Sequence, residues 1–168
     1  MITSIRSIIV DYLKTVDSVN SIVDDRITDI DYNFEDLYGA SANDSMFPAI
    51  SIESTGAVPE YATNCDDVNQ YTEPLNIQLY QQVTTQHLRA KSPTVKEKAV
   101  NKLRDLNSLK EAVLNNLNTL RGNLDFLVDI HMVRIINGGT DSTFSTANKS
   151  TIYQSQISIN ITYSKGAV

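Results

Sequence analysis

The stretch "IYQSQISINITYS", residues 152–164, decides the fold of this chain. Its apolar side chains stand at every second position, at Ile157, Ile159, Ile161 and Tyr163, with polar residues between them. A period of two is typical of a β-strand that has one dry face and one wet face. Sheets built from such strands are antiparallel and are covered on one side only. The stretch therefore predicts an antiparallel sheet with a polar open face.

Three further stretches carry strand patterns. In "LNIQLYQQV", residues 75–83, Leu75, Ile77 and Leu79 are predicted to face inward, and Asn76, Gln78 and Tyr80 outward. "FPAISIEST", residues 47–55, predicts a strand that begins at Pro48 and pairs antiparallel with the strand at residues 75–83. "LVDIHMVRII", residues 127–136, predicts the strand that precedes the last one. The polar stretches at about 54–73 and 137–151 are predicted to be long loops.

Two amphipathic helices complete the pattern. Residues 92–122 predict a helix capped by Ser92, with Pro93 at its first position, Gly122 at its end and room for a break at 105–110. Its apolar stripe is interrupted only by Lys110 and consists of Ala99, Leu103, Leu106, Val113, Leu117 and Leu120. Residues 2–16 predict an N-terminal helix capped by Thr3, followed by a short helical turn capped by Asp17 or Ser18. The fold class is α+β: one domain over residues 1–168, with about four or five mainly antiparallel strands and both helices on one face.

Composition excludes some classes of protein. The chain has 168 residues, of which 41% are hydrophobic and 20% charged, as in an ordinary globular domain. No apolar run approaches the roughly 20 residues that span a bilayer, so we expect no membrane association. The N-terminal stretch has no small-residue cleavage site, and we interpret it as a mature helix. The single cysteine, Cys65, cannot form an internal disulfide.

Charge is distributed unevenly along the chain. Residues 1–88 carry a net charge of −11 and residues 89–168 carry +5. Net acidity argues against general nucleic-acid binding, which needs a basic footprint. Opposed charges suit a subunit that meets copies of itself or an unlike partner, although two solvated faces of a monomer would give the same numbers. The basic stretch from Arg89 to Lys110 is open to the same two interpretations.

Candidate sites for chemistry are few. His87 and His131 lack a recognisable nucleophile, and Cys65 has no second cysteine at metal-binding spacing. Asp66 and Asp67 lie in "NCDDVNQYTE", residues 64–73, which lacks the glycine and the late glutamate of a calcium loop. We therefore expect no catalytic residue, no cofactor and no metal. The candidate interface residues are Asp24, Asp25, Arg26, Asp66, Asp67, Lys96, Lys98 and Lys102.

The segment "SIVDDRITDI", residues 21–30, allows two interpretations. Asp24, Asp25 and Asp29 could form an acidic site that binds a metal or moves protons. They could instead form the polar corner at which a helix ends and an extended segment begins. We favour the corner, with Arg26 paired to a nearby carboxylate or to a neighbouring subunit.

The order of the elements resembles a known family. An amphipathic helix leads to "VNSIVDDRI", then to the strands "FPAISIES" and "LNIQLYQQV", a helix ending in "LNNLNTLRG", and the final strand "SQISINITY". This order resembles the tail terminator, or tail completion, proteins of long-tailed bacteriophages of the lambda type. In that family the turn after the first helix runs apolar residue, Asp, Arg, then Ile or Val, which matches Val23, Asp25, Arg26 and Ile27. The predicted long helix and the stretch at 137–151 are longer than the family leads us to expect.

The resemblance implies a structural role in the virion, without catalysis. Six copies would close into a ring on the finished tail tube, stop its growth and present a joining surface to the head-side connector or stopper protein. The ring could also hold the last ring of a tail sheath, and genomic DNA would pass through its lumen without specific binding; an acidic lumen would repel the phosphates. The alternatives are another head–tail connector, neck or tail tube protein, and an unrelated soluble enzyme or ligand-binding module.

Overall fold

The computed structural model describes residues 4–29, 46–54, 56, 58–60, 70–120, 128–145 and 150–165. Its helices are α1 (Ile5–Thr15), α2 (Asp17–Val23), α3 (Thr85–Leu88) and α4 (Pro93–Leu117). Its strands are β1 (Ile27–Thr28), β2 (Ala49–Ser54), β3 (Val58–Glu60), β4 (Gln70–Thr84), β5 (Val128–Ser145) and β6 (Ser150–Lys165). The α+β class, with one mainly antiparallel sheet, an N-terminal helix and a long helix, is confirmed. Asp66, Asp67, Cys65, Thr3 and Gly122 lie outside the described residues.

All six strands belong to one sheet of order β1-β2-β4-β6-β5. The predicted antiparallel neighbours β2 and β4 pair from Ala49–Tyr80 to Ser54–Leu75. The short strand β3 pairs with the beginning of β4, so β2 and β3 lie end to end along the same side of β4. Only β1 is parallel to its neighbour, β2. The long strands β4, β6 and β5 therefore form the body of the sheet.

The core lies between one face of this sheet and the helices. The inward residues predicted for β4 and β6 are all buried. They pack with α1 and with the apolar stripe of α4, in one contiguous cluster. The hydroxyl of Tyr12 in α1 donates to the backbone oxygen of Asn116 at the end of α4, at 2.9 Å, and also hydrogen-bonds Thr119. Burial of the apolar faces drives this packing, and the tyrosine fixes how the two helices meet.

The helix ends differ in part from prediction. The cap of α1 is Ser4, whose hydroxyl accepts from the Ser7 backbone N–H at 3.2 Å, and not Thr3. Neither Asp17 nor Ser18 caps α2; the residue before that helix is Val16, which offers no side-chain acceptor. The chain passes directly from α1 to α2 there, and Asp17 is already helical.

The long helix α4 runs without a break from Pro93 to Leu117, so the break considered at 105–110 is absent and the helix ends before Gly122. Ser92 occupies the cap position, but its side chain makes no capping hydrogen bond. Leu109 is fully buried, whereas Leu103 is only half-buried. The stripe that faces the core is thus rotated slightly from the predicted one, to Ala99, Leu106, Leu109, Val113 and Leu117.

Both predicted loops contain strand. Residues 137–145 continue β5 and pair with β6, through register shifts around Asn137. Residues 58–60 and 70–73 also join the sheet. Pro74 is tolerated inside β4 because it falls in the gap between the stretches that pair with β3 and with β2. These segments form strand because they pair with a neighbouring strand, and amino-acid composition alone does not indicate such pairing.

The alternation predicts that the face of the sheet away from the helices is wet, but part of this face is buried. Tyr80 is buried in a small second cluster with Phe47 and Ile152, at one end of this face. Gln78 is buried too, among other amide side chains. We call this side of the sheet the second face.

Candidate interaction surfaces

The corner after α2 is built by backbone geometry. Asp24 and Asp25 both adopt positive φ, at 49° and 62°, and Asp24 is the C-cap that ends the helix. Aspartate and asparagine tolerate this left-handed region better than most residues. Asn20 holds the turn, since its side-chain oxygen accepts from the Asp25 backbone N–H at 2.8 Å and its amide donates to the Asp25 carboxylate at 3.0 Å. The residues thus form a structural corner.

Arg26 links this corner to the sheet. Its Nε donates to the backbone oxygen of Pro48 at 2.8 Å, just before β2. Its guanidinium lies 3.7 Å from the carboxylate of Asp24, whose side chain is 89% exposed. An ion pair this exposed contributes only about 0–1 kcal/mol. The main role of Arg26 in the described residues is therefore to fix the path of the chain from α2 into β1.

The predicted basic residues do not join the corner. Lys96 and Lys98 are exposed on the first turns of α4, and Lys102 is half-buried one turn further along. The corner lies near the other end of that helix, because Ser18 in α2 accepts from the side chain of Asn116. A 25-residue helix is about 37 Å long, so the two groups form separate surfaces.

Lys110, which interrupts the predicted apolar stripe, reaches across to the β5–β6 hairpin. Its ammonium lies 3.8 Å from the carboxylate of Asp141, and its side chain passes over Gly139. A Cβ at Gly139 would lie 2.9 Å from the Lys110 side chain, so the glycine makes room for the lysine. Beside this ion pair, a groove of about 320 Å³ separates α4 from the hairpin; it is lined by residues that include Leu103, Leu106, Asn107 and Tyr153.

At the centre of the second face, side chains form a hydrogen-bonded group that we call the amide cluster. It consists of Asn76, Gln78, Gln154, Gln156 and Ser158. Gln78 donates to Gln156 at 2.8 Å and accepts from Gln154 at 2.5 Å. Asn76 accepts from Ser158 at 2.9 Å and from Gln156 at 3.2 Å. Gln78 also donates to the carboxylate of Glu53 at 3.4 Å, so the amides satisfy one another and the cluster borders one acidic side chain.

A buried carboxylate lies on the core side, where β4 begins. Glu73 accepts from the hydroxyl of Tyr163 at 3.0 Å and from the hydroxyl of Ser54. Tyr71 stacks on Tyr163 with ring centroids 5.7 Å apart. Burial, followed by the charge and the hydrogen bond of Glu73, raises the pKa of Tyr163 well above its ordinary value. The tyrosine therefore stays protonated and serves as a donor that holds the glutamate in the fold.

The outer strand β5 carries exposed apolar residues. Met132 and Ile136 are 54% and 55% exposed, and they are the exposed large hydrophobic residues of the described chain. Arg134 lies between them and is also exposed, while Val133 and Ile135 pack against the core from the other side of the strand. Alternation of apolar and polar residues does not predict this surface, because it does not show that a strand lies at the edge of a sheet. The signal available was an apolar residue on each side of β5 in "HMVRII", residues 131–136.

The two histidines lie on separate elements of the described chain. His87 is exposed on α3, and His131 is exposed on β5, with Nε2 2.5 Å from the hydroxyl of Ser164. Within the described residues, no group of three or more histidine, cysteine, aspartate or glutamate side chains could hold a metal ion. A helix long and apolar enough to cross a bilayer is likewise absent from that part of the chain.

The comparisons with known proteins add no relative. No protein-family model matches the chain, and no curated protein matches it. The surfaces must therefore be interpreted from their own geometry and from the order of the elements.

Proposed function

We propose that this chain is a structural virion protein that forms a ring on the end of a bacteriophage tail tube. The ring ends tail polymerisation and offers the surface to which the head-side connector joins, and DNA passes through its lumen. The subunit interface is with copies of the chain itself, in a homohexamer. The other partners are the tail tube protein and, in a contractile tail, the sheath.

The observation that supports this function best is the arrangement of the elements. An N-terminal helix and the Asp-Arg corner lead into β2 and β4, the long helix α4 crosses the core side, and the hairpin of β5 and β6 completes the sheet. This is the order on which the resemblance to tail terminators rests. The corner matches the common turn of the family at Val23, Asp25, Arg26 and Ile27, with Asp24 as an additional residue between the first two.

The second face of the sheet suits the wall of a DNA channel. Its centre is the amide cluster, which carries no charge, so it offers no cation to the phosphates. A basic wall would bind the duplex by releasing counterions and would slow its passage.

The mass of the particle in solution tests the proposal. Native mass spectrometry of the purified full-length chain, with negative-stain microscopy of the same sample, should give six-subunit rings with a central hole. Extended tubes would instead favour a tail tube protein, since tube subunits stack on themselves. A monomer at every concentration, with no rings on the grid, would count against a ring-forming function.

A further inference from the structure

We propose that the outer edge of β5 is the surface through which one copy of this chain joins the next. The partner surface is the β2–β3 edge of the second copy, at the opposite side of the same sheet. The proposal rests on the proposed function insofar as it takes the assembly to be a ring. It adds the residues that form the interface between neighbouring copies, which we call the seam.

Within the described residues, the sheet has two edges that can accept a further strand. In the part of the chain that the structure describes, β5 pairs with β6 alone, and no strand covers its outer side. On the opposite side, β1 covers β2 only at Ile50 and Ser51, so no other strand among the described residues lies beside Ile52–Ser54 or the outer side of β3. An edge strand offers a row of backbone donors and acceptors to another strand. The chain therefore carries two unlike edges, as a heterologous ring contact requires.

The directions of the strands allow these two edges to pair. Each pairing from β2 through β4 and β6 to β5 is antiparallel, so β5 runs opposite to β2 and β3. Copies related by rotation about an axis along the strands all keep the same orientation. In such a ring, β5 of one copy meets the β2–β3 edge of the next in antiparallel fashion. This is the favourable pairing pattern for short strands.

The pairing register places parts of the two edges at the same level along the strands. Met132 pairs with Thr162 in β6. Thr162 pairs with Thr72 in β4, and Thr72 pairs with Val58 in β3. The beginning of the exposed stretch of β5 is thus level with β3 at the other edge. The regular part of β5 is short, because register shifts interrupt it before Met132 and after Ile135, and both edges therefore offer only a few residues for pairing.

The two edges also carry side chains of opposite charge. Arg134 is exposed on the second face of β5, at the level of Pro74 in β4. Glu53 is half-exposed on the same face of β2, at the level of Asn76. The two levels differ by two residues, or about 7 Å along the strands, which long side chains on adjacent strands can bridge. Arg134 of one copy can therefore pair with Glu53 of the next.

The apolar residues strengthen this interpretation. Met132 and Ile136 flank Arg134, and both leave about half of their surface in water in the isolated chain. A strand added to β5 would cover this rim, while the amide cluster at the centre of the sheet would stay in contact with solvent. The seam would thus be apolar with one ion pair, and the wall between seams would stay polar.

Intermolecular cross-linking tests the seam directly. The variant Cys65→Ser/Glu53→Cys/Asn137→Cys carries one cysteine at each edge, at the same level of the sheet, because Asn137 pairs with Ser158, Ser158 with Asn76, and Asn76 with Glu53. Within one chain these positions are three strand spacings apart, about 14 Å, which is too far for a disulfide. Mild oxidation should give a ladder of covalent oligomers on a non-reducing gel. Each single-cysteine variant in the Cys65→Ser background should give no ladder, and a covalent dimer of the Asn137→Cys variant would overturn the proposal in favour of a symmetric β5–β5 contact.

A charge exchange gives a second readout that does not depend on oxidation. Arg134→Glu should shift the concentration at which half of the chains assemble by about tenfold or more, because like charges would face each other at every seam. Glu53→Arg should do the same, and the double variant should restore assembly. Lys96→Glu, a matched change on the exposed start of α4, should leave the mass unchanged.

The outcomes separate this inference from the proposed function. Rings that persist in Arg134→Glu and give no ladder would overturn the seam and leave the ring function standing. Tubes that give the ladder would support the seam and overturn the tail-terminator function. A wild-type chain that stays monomeric would overturn the seam.

Discussion

Replacing Tyr163 with phenylalanine should change stability in a way that depends on pH. The tyrosine is buried and its hydroxyl donates to Glu73 at 3.0 Å. Without this hydroxyl, the glutamate loses one of its two hydroxyl donors, the other being Ser54. A buried acceptor that loses a donor costs about 1–3 kcal/mol. We expect Tyr163→Phe to lower the free energy of unfolding by about that amount at pH 8.

At alkaline pH this difference should shrink. Burial and the charge of Glu73 raise the pKa of Tyr163 in the folded chain above its value when unfolded, which is about 10. The folded state therefore keeps a proton that the unfolded state releases, and the wild type loses stability as pH rises above about 10. One proton is worth about 1.4 kcal/mol per pH unit, so by pH 11 the wild type should lose about 1.4 kcal/mol that the variant does not lose.

Urea unfolding at pH 8 and at pH 11 measures this effect. Wild type, Tyr163→Phe and the control Tyr153→Phe on the same strand should be compared at one protein concentration, because assembly would otherwise change the apparent stability. The gap between wild type and Tyr163→Phe should narrow by about 1.4 kcal/mol at pH 11. A gap that stays constant or widens would refute the raised pKa of Tyr163 in the folded chain.

Three further predictions concern stability, each measurable by urea or thermal unfolding. Leu109→Ala should lower the free energy of unfolding by about 2–5 kcal/mol, because it empties a fully buried position; a loss below 1 kcal/mol would mean that the stripe of α4 is not packed as described. Gly139→Ala should cost about 1–3 kcal/mol, since φ is +154° and the new Cβ would press on Lys110, whereas Gly138→Ala should be nearly neutral, with its nearest atom at 3.9 Å. Equal effects at the two glycines would contradict the close approach of Lys110. Arg26→Met should cost about 1–3 kcal/mol through the lost hydrogen bond to a backbone oxygen, and an unchanged stability would show that the corner holds without it.

The elements that sequence could predict are those with a strong internal period. Residues 156–163 alternate without exception, and the stripe of α4 repeats at helical spacing, so burial alone dictates both. The corner at Asp24 and Asp25 was also predictable, because two aspartates after a short apolar run end a helix more readily than they continue it. Local pattern and tertiary packing agree in these segments.

What sequence could not give depends on partners distant in the chain. Residues 137–145 read as a loop, rich in Gly, Ser and Thr, yet they form strand because β6 lies beside them with free hydrogen-bonding groups. Lys110 looked like an interruption of the stripe, and only the position of Asp141 and Gly139 explains it. Gln78 looked solvated, and it is buried because neighbouring strands supply other amides. In each case the deciding group lies on another strand.

The two faces of the sheet explain why the seam belongs at its rim. The core face is covered by α1 and α4, so it has no apolar surface left to offer along β4 and β6. The second face is occupied by the amide cluster and by the small cluster of Phe47, Tyr80 and Ile152, beside which the buried Oε1 of Gln82 has no hydrogen-bond partner among the described residues. In the described part of the chain, exposed apolar surface therefore coincides on β5 with a strand edge that no further strand covers, where Met132 and Ile136 lie. Pairing this edge would satisfy backbone groups and bury these side chains in one step, whereas contact through either face would first have to displace hydrogen bonds or helices.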